Sequence, residues 1–376
     1  MDDVTVGAYD PDINMNTNTR PSPAKSAQAV GLRYVTDERP GLCRERCGHG
    51  FRYRSAEGRL IRDRHTLKRI NSLVIPPAWH AVWICPLDHG HLQATGRDER
   101  KRKQHLYHPL WRETRDQTKF ERLMDFARTL PGIRKRLKRD LGHKGLCREK
   151  ILATVVRLLE ISLIRVGNDE YARDNKSYGL TTMKNRHARV RGAKIKFQFR
   201  GKSGREHVVE VEDRRVARIV RACQDLPGQE LFQYVDDEGQ KHDVGSGDVN
   251  DYLREISGRD FTAKDFRTWV GTISAAWELR RLGPDDSETD LKKNVVAAVK
   301  ATAQSLGNTP AVCRKSYIHP AVIEAYLDRT LITKLNGRRS KTSSASSSRL
   351  RPDEAAVLRF LKCAGNGRKK HARPAS

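Results

Sequence analysis

Tyr317 closes the run "NTPAVCRKSY", where Arg314, Lys315 and Ser316 stand directly before it and Thr309-Pro310 have the form of a helix N-terminus. A phenol with a pKa of about 10 is a weak nucleophile until neighbouring cations stabilise its phenolate. The chemistry such a residue suits is phosphoryl transfer. That reaction needs a nucleophile, positive charge or dipoles on the non-bridging oxygens, and an acid for the leaving oxygen. Metal ions supply the charge only where clustered carboxylates hold them. The one local acidic cluster, Asp236-Asp237-Glu238 before Gly239, reads as a solvated turn without a partner cluster, so a metal-free site of Arg and Lys fits better. Arg267 falls in the expected first turn of a helix beginning near Thr262, where backbone N–H groups and the helix dipole favour phosphate. Lys264, three residues earlier, projects to the same side of that turn. Arg165 stands near the end of another helical run. Taken singly, each of these residues reads as a surface or salt-bridge group.

Composition points to a polyanionic partner. Of 376 residues, 73 are Lys or Arg against 46 Asp or Glu, a formal charge of +27 spread along the whole chain. Aromatic residues make up only 6%, which disfavours a stacking single-strand binder and leaves contacts to duplex phosphates as the natural mode. No window approaches 18 consecutive apolar residues, and the start Met1-Asp2-Asp3 lacks a basic leader pattern, so the expectation is a soluble cytoplasmic, nucleoid-associated protein. Seven scattered cysteines imply no disulfide framework. Cys43, Cys47 and His49 lack a second Cys/His pair at finger spacing and read as loop or core residues.

The elements that must position these residues divide the chain. Residues 1–30 are rich in Asn, Thr, Pro, Ser and Ala and read as disordered. Residues 31–115, with "LVIPPAW", "AVWICPL" and "HLQAT", read as a small strand-rich domain ending in the basic run "GRDERKRKQHLYH". There Arg97, Arg100 and Lys103 suit DNA phosphates, while Gln104 and Tyr107 suit bases or sugars. Residues 116–335 turn helical. "REKILATVVRLLEISLIRVGN" has helical apolar spacing and stops at Gly167-Asn168, and Thr262, Thr289 and Thr309 are expected N-caps. "KIKFQFRGKSGREHVVEVED" alternates instead and predicts a hairpin with Lys202 at its tip. Gly201-Lys202-Ser203 is no nucleotide loop, because the motif's first glycine would fall on Lys196 and a strand follows. Residues 336–376 read as a basic disordered tail with one possible short helix around "DEAAVLRFL". The fold class is thus α+β, a strand-rich N-terminal domain followed by a mainly helical domain carrying a β-hairpin.

The motifs "LIRVGNDEYARDNKSYGLTTM", "FRGKSG", "KDFRTW" and "LGNTPAVCRKSYIHP" resemble, in order and approximate spacing, those of the type IB DNA topoisomerases of the bacterial and poxvirus-like branch. The resemblance covers residues 31–335, with "PPAWHAVWICP" and "HLQATGRDERKRKQHLYH" similar to that family's first domain. It implies that Tyr317 forms a 3′-phosphotyrosyl link, that Arg165 and Arg267 grip the non-bridging oxygens, and that Lys202 protonates the leaving 5′-oxygen. It further implies that Lys264 assists at the same phosphate. With the activating charge placed on Arg165, Lys202 and Arg267, Arg314 and Lys315 are read as positioning their segment on DNA. Asn308 stands where the poxvirus form has a histidine; its NH₂ donates a hydrogen bond but carries no charge. The implied activity is relaxation of supercoiled duplex DNA by cleavage, swivelling and religation, performed by a monomer without ATP, cofactor or obligatory metal. A tyrosine site-specific recombinase is the nearest rival, but that class usually has a His three residues before the second Arg, where this chain has Lys264. A non-catalytic basic DNA-binding protein is the other, and the ordered motif set argues against it.

Overall fold

The computed structural model describes residues 22–99, 101–337 and 350–371, which fall into two units, 1–119 and 120–376. In the first unit, α1 (Pro23–Gln28) starts at Ser22, whose hydroxyl accepts the Lys25 N–H, and it buries Ala27 with Leu32 and Trp111. The expected disorder of residues 1–30 is corrected there, because Pro23 at the first helical position and a buried apolar contact are enough to order one short helix. Residues 1–21 lie outside the described residues.

Five antiparallel strands follow: β1 (Leu42–Cys47), β2 (Gly50–Arg54), β3 (His80–Ile84), β4 (Leu92–Arg97) and β5 (Lys103–Tyr107), in the order β2-β1-β3-β4-β5. Helix α2 (Arg64–Ser72), capped by Asp63, contributes Ile70 to a small core with Val82, Ile84 and Ala94. β4 is buried from Leu92 to Gly96. Its Gln93 is tolerable there because its amide donates to the Asp88 and Gly90 carbonyls at 2.9 and 2.7 Å. The basic run is therefore a hairpin, with Arg97 paired to Lys103 across β4 and β5.

Helix α3 (Pro109–Asp140) leads into the second unit, which holds the main core. α4 (Arg148–Ser162) is buried at nearly every position from Ile151 to Leu159. It ends five residues before the expected stop at Gly167: the Ser162 hydroxyl donates back to the Leu158 carbonyl at 2.6 Å, and Leu163 turns left-handed at φ 57°. Asn168 instead caps the next helix, α5 (Asp169–Asn175). Strands β6 (Ala188–Arg191), β7 (Lys194–Arg200) and β8 (Glu206–Glu212) form one sheet, with Arg200 opposite Glu206 at the predicted hairpin. α6 (Arg214–Gln224) precedes the small hairpin β9 (Gln233–Val235) and β10 (Lys241–Asp243). At its turn the Asp236 carboxylate accepts the Gln240 N–H at 2.7 Å and contacts His242 Nε2 at 2.6 Å, so the acidic cluster serves the turn.

The remaining helices are α7 (Ser246–Ser257), α8 (Ala263–Leu282), α9 (Glu288–Ser305), α10 (Pro310–Tyr317), α11 (Pro320–Leu327), α12 (Leu331–Asn336) and α13 (Pro352–His371). α8, with Phe266 and Trp269 buried, packs against α4, α7 and every one of α9 to α13. Thr262 and Thr309 cap as expected, but Ser287 caps α9 and Thr289 lies inside its first turn, because the Ser287 hydroxyl is the one that reaches the Asp290 N–H.

The expected tail is corrected too. α13 buries Ala356, Val357, Leu358, Phe360 and Leu361 in the main core, while residues 338–349 and 372–376 lie outside the described ones. An ion cluster fixes it. Arg134 on α3 grips fully buried Glu354 through both terminal nitrogens at 2.8 and 2.7 Å and reaches Glu160 on α4 at 2.7 Å. Burial alone would raise the Glu354 pKa, yet hydrogen bonds from Arg134 and the Arg351 N–H hold it below its ordinary value. A lowered folded pKa means the contribution is present above the unfolded value and lost as pH falls through the folded one. Glu354→Gln should cost about 3 kcal/mol of stability at neutral pH by leaving Arg134 underpaired. In denaturant titrations the gap to wild type should close below a pH of about 4.

Candidate active site

Four segments distant in sequence meet around the end of α10. Tyr317 is its last residue, half-buried, and its ring centroid lies 5.3 Å from the Arg267 guanidinium carbon. The seat for the tyrosine is α8. A methyl built on Gly271 would lie 2.7 Å from the Tyr317 carbonyl oxygen, so only glycine admits this approach. The neighbouring Thr272 hydroxyl lies 3.3 Å from the same oxygen, accepts the His319 N–H at 3.1 Å and donates to Thr268 at 2.8 Å.

Arg267 is the fifth residue of α8, just past the expected first turn, and only 5% exposed. The first turn of α8 is fixed by Asp265, whose carboxylate accepts the Thr262 N–H at 2.7 Å and pairs with Arg122 at 2.6 Å. Arg267 donates to the carbonyls of Leu163 and, at 2.5 Å, Leu306, and its Nε is buried without a partner. Arg165, beyond the end of α4, donates to the Gly307 carbonyl at 3.3 Å and to the Asn308 side-chain oxygen. The carbonyls converge because Leu163 and Gly307 both adopt positive φ, 57° and 59°, which turns the ends of α4 and α9 toward the arginines.

Neither Arg165 nor Arg267 has a carboxylate partner among the described residues. Burial lowers both pKa values, and for Arg267 repulsion from Arg165 adds to it. Asn308 closes α9 with its N–H on the Ala303 carbonyl at 2.9 Å, and its Nδ2 is buried with no partner. Arg165, Arg267, Asn308 and Tyr317 are thus brought together. Together they make a cluster of hydrogen-bond donors and positive charge, suited to an anion.

Lys202, exposed, opens the tight turn between β7 and β8. That turn adjoins the Asn308 segment through a residue the sequence reading passed over. His207, on β8, stacks on Phe199 at 5.4 Å and lies against both Gly201 and Gly307. Burial lowers its pKa, with Arg165, Arg267 and Arg205 adding to the effect. A histidine within an alternating strand carries no sequence signal of this kind.

Lys264 is exposed although Arg267, expected on the same side, is buried. Arg314 and Lys315 are exposed on the last turn of α10. In the first unit, Lys103 pairs with Asp37 at 2.7 Å, Gln104 donates to Asp98 at 3.0 Å, and Arg97 donates to the Lys101 carbonyl at 2.8 Å. Tyr107 is half-buried beside His105, and Arg100 lies outside the described residues. Among the described residues, no three His, Cys, Asp or Glu side chains gather as a metal-ligand set.

Comparison with known proteins gives the site a context. Residues 108–344 match the family model of the eukaryotic DNA topoisomerase I catalytic core, and residues 50–98 that of the bacterial DNA topoisomerase IB N-terminal domain. The chain is 32% identical to the DNA topoisomerase 1B of Acanthamoeba polyphaga mimivirus over 76% of its own length and 87% of the relative's. It is 21% identical to the DNA topoisomerase 1B of vaccinia virus over 63% of its length and 73% of the relative's.

The Gly271 contact yields a direct test. Gly271→Ala forces a methyl against the Tyr317 backbone and should cost about 1–3 kcal/mol in chemical denaturation, as overpacking does in tight interiors. An unchanged midpoint would show that α10 sits loosely on α8.

Proposed function

The chain belongs to the type IB DNA topoisomerases, enzymes that change DNA topology, and on that premise we propose the roles its own residues take. The observation that carries the reading is a buried guanidinium, Arg267, beside the half-buried one of Arg165, neither with a carboxylate partner among the described residues and both flanked by the orphaned Nδ2 of Asn308. A phosphodiester is the anion that completes them. Its non-bridging oxygens take hydrogen bonds from both arginines and from Asn308 Nδ2, where charge accumulates in the transition state.

Tyr317 Oη attacks the phosphorus while the P–O5′ bond breaks. The phenolic proton is lost to water, and Lys202 Nζ delivers a proton to the departing 5′-oxygen. The product is a 3′-phosphotyrosyl link with a free 5′-hydroxyl on the cut strand. That strand swivels about the intact one, and attack by the 5′-hydroxyl reverses each step and frees Tyr317. One phosphodiester is exchanged for another, so no nucleotide hydrolysis is needed. The two guanidiniums supply the charge that a divalent ion would otherwise bring.

Lys264, Arg314 and Lys315 contact phosphates around the cleaved one from the second unit. Arg97, Arg100, Lys103, Gln104 and Tyr107 contact duplex from the first. Lys103 and Gln104 must then exchange Asp37 and Asp98 for DNA. A net charge of +27 supports close association with chromosomal duplex, and a single chain holds the whole residue set, so the enzyme acts as a monomer.

Wild type should relax supercoiled plasmid in EDTA without ATP, and Tyr317→Phe should bind the plasmid yet leave it supercoiled. Relaxation by the Phe variant, or none by wild type, would overturn the assignment. Asn308→Asp keeps the acceptor for Arg165 but removes the free donor and adds an anion. It should slow single-turnover cleavage about 10²- to 10³-fold, the scale for losing one donor to a developing oxyanion. A rate near wild type would remove Asn308 from the site.

A further inference from the structure

We infer that His207 is a positioning residue whose imidazole sets the spacing between the Lys202 turn and the Leu306–Asn308 segment, and so places the general acid over the leaving oxygen. The inference rests on the roles proposed above for Lys202 and Asn308. The imidazole touches both segments at glycines. A methyl built on Gly201 would lie 2.5 Å from its Cδ2, and one built on Gly307 would lie 2.7 Å from its Cε1. The two glycines differ in what they require. Gly307 needs its freedom at φ 59° in any case, whereas Gly201 has an ordinary φ of −98°, so nothing in its own backbone demands glycine. What excludes a larger residue at 201 is the imidazole.

The ring is itself fixed by stacking on Phe199, the residue opposite it across β7 and β8, and Phe199 is buried in the main core. The two sides of the ring are secured unequally. The Leu306–Asn308 segment keeps the Arg165 and Arg267 bonds and the Asn308 N–H to Ala303 when the imidazole is removed. Lys202 is exposed on a three-residue turn closed by the Gly204 N–H on the Gly201 carbonyl at 3.0 Å. The turn's other ties, the Gly201 N–H on the Arg205 carbonyl at 2.8 Å and the Ser177 hydroxyl on the Gly201 carbonyl at 3.2 Å, hold only its base. Loss of the spacer therefore frees the acid while leaving the phosphate grip in place. Misplacement of a catalytic group by about 1 Å costs on the order of 10²-fold.

This predicts a defect confined to the acid step. His207→Ala and Gly201→Ala should each slow single-turnover cleavage of an ordinary duplex about 10- to 100-fold, with duplex affinity within about twofold of wild type. In the double variant the new methyl occupies the space the ring has left, so its rate should be no lower than that of the slower single variant. A duplex with sulfur replacing the bridging 5′-oxygen has a leaving group that needs no proton, and on it His207→Ala should cleave within about threefold of wild type.

Lys202→Ala on the sulfur duplex is the control. If sulfur fails to restore that variant, the general-acid role of Lys202 falls, and the double-variant comparison alone decides whether His207 spaces the two segments. A wild-type rate for His207→Ala, or losses that multiply in the double variant, overturns the inference. So does an equal defect on both duplexes when Lys202→Ala is restored by sulfur.

Discussion

Two like charges held side by side in a mostly buried place, with no counter-charge among the described residues, are the constraint around which this enzyme is built. Loss of hydration lowers the pKa of both Arg165 and Arg267, and at Arg267 repulsion from Arg165 lowers it further. A carboxylate would relieve the repulsion but would also compete with the phosphate for the same donors. The fold uses carbonyl dipoles instead, from Leu163, Leu306 and Gly307, which orient the guanidiniums without neutralising them. Two helices therefore end in left-handed residues at this point, and at Leu163 that conformation carries a steric cost a glycine would avoid. Under the proposed roles the phosphate relieves the cost of the unneutralised charges when it arrives, which is the condition under which binding energy is directed at the transition state.

Such a site needs rigid support, and α8 supplies it. One helix carries Arg267, seats Tyr317 on Gly271 and Thr272, and packs against each of the five helices that follow it. α13 closes the far side of α8 and is tied to α3 and α4 through Arg134, Glu354 and Glu160. It lies beyond residue 344, where the catalytic-core match stops. A buried ion pair is weak evidence for net stability, but breaking one leaves an uncompensated charge, so the cluster holds α13 in one register against the others.

Much of this was legible in the sequence where local chemistry decides the structure. Alternating Ile195, Phe197 and Phe199 before "GKSG" specify a hairpin whatever surrounds it, and Thr309-Pro310 specify the start of the tyrosine helix. The strand-rich domain followed by helices was legible from apolar period alone. What was not legible depends on tertiary partners. α4 keeps its helical period past Ser162, yet it ends there, with the Ser162 hydroxyl on the Leu158 carbonyl and left-handed Leu163 giving its carbonyl to Arg267. The helix around "DEAAVLRFL" was legible, but its place in the core was not, because the partner that buries Glu354 lies 220 positions earlier. His207 is invisible for a related reason, since the two segments it separates meet it at glycines, which present no side chain to match.

Asn308 shows how a departure from a family pattern changes meaning once its neighbours are known. From sequence, asparagine in place of histidine looks like a loss of positive charge. In the structure its Oδ1 accepts from Arg165 while its Nδ2 remains free. An imidazolium has two donors and no acceptor, so it could not hold Arg165 in this way. A neutral imidazole could accept from Arg165 and donate to phosphate, but only in one tautomer and at a charge no greater than the amide's. The amide fixes both roles at every pH where the enzyme folds. Under the proposed roles, the asparagine gives up a charge next to two others that already repel, and gains a permanent acceptor that orients one of them.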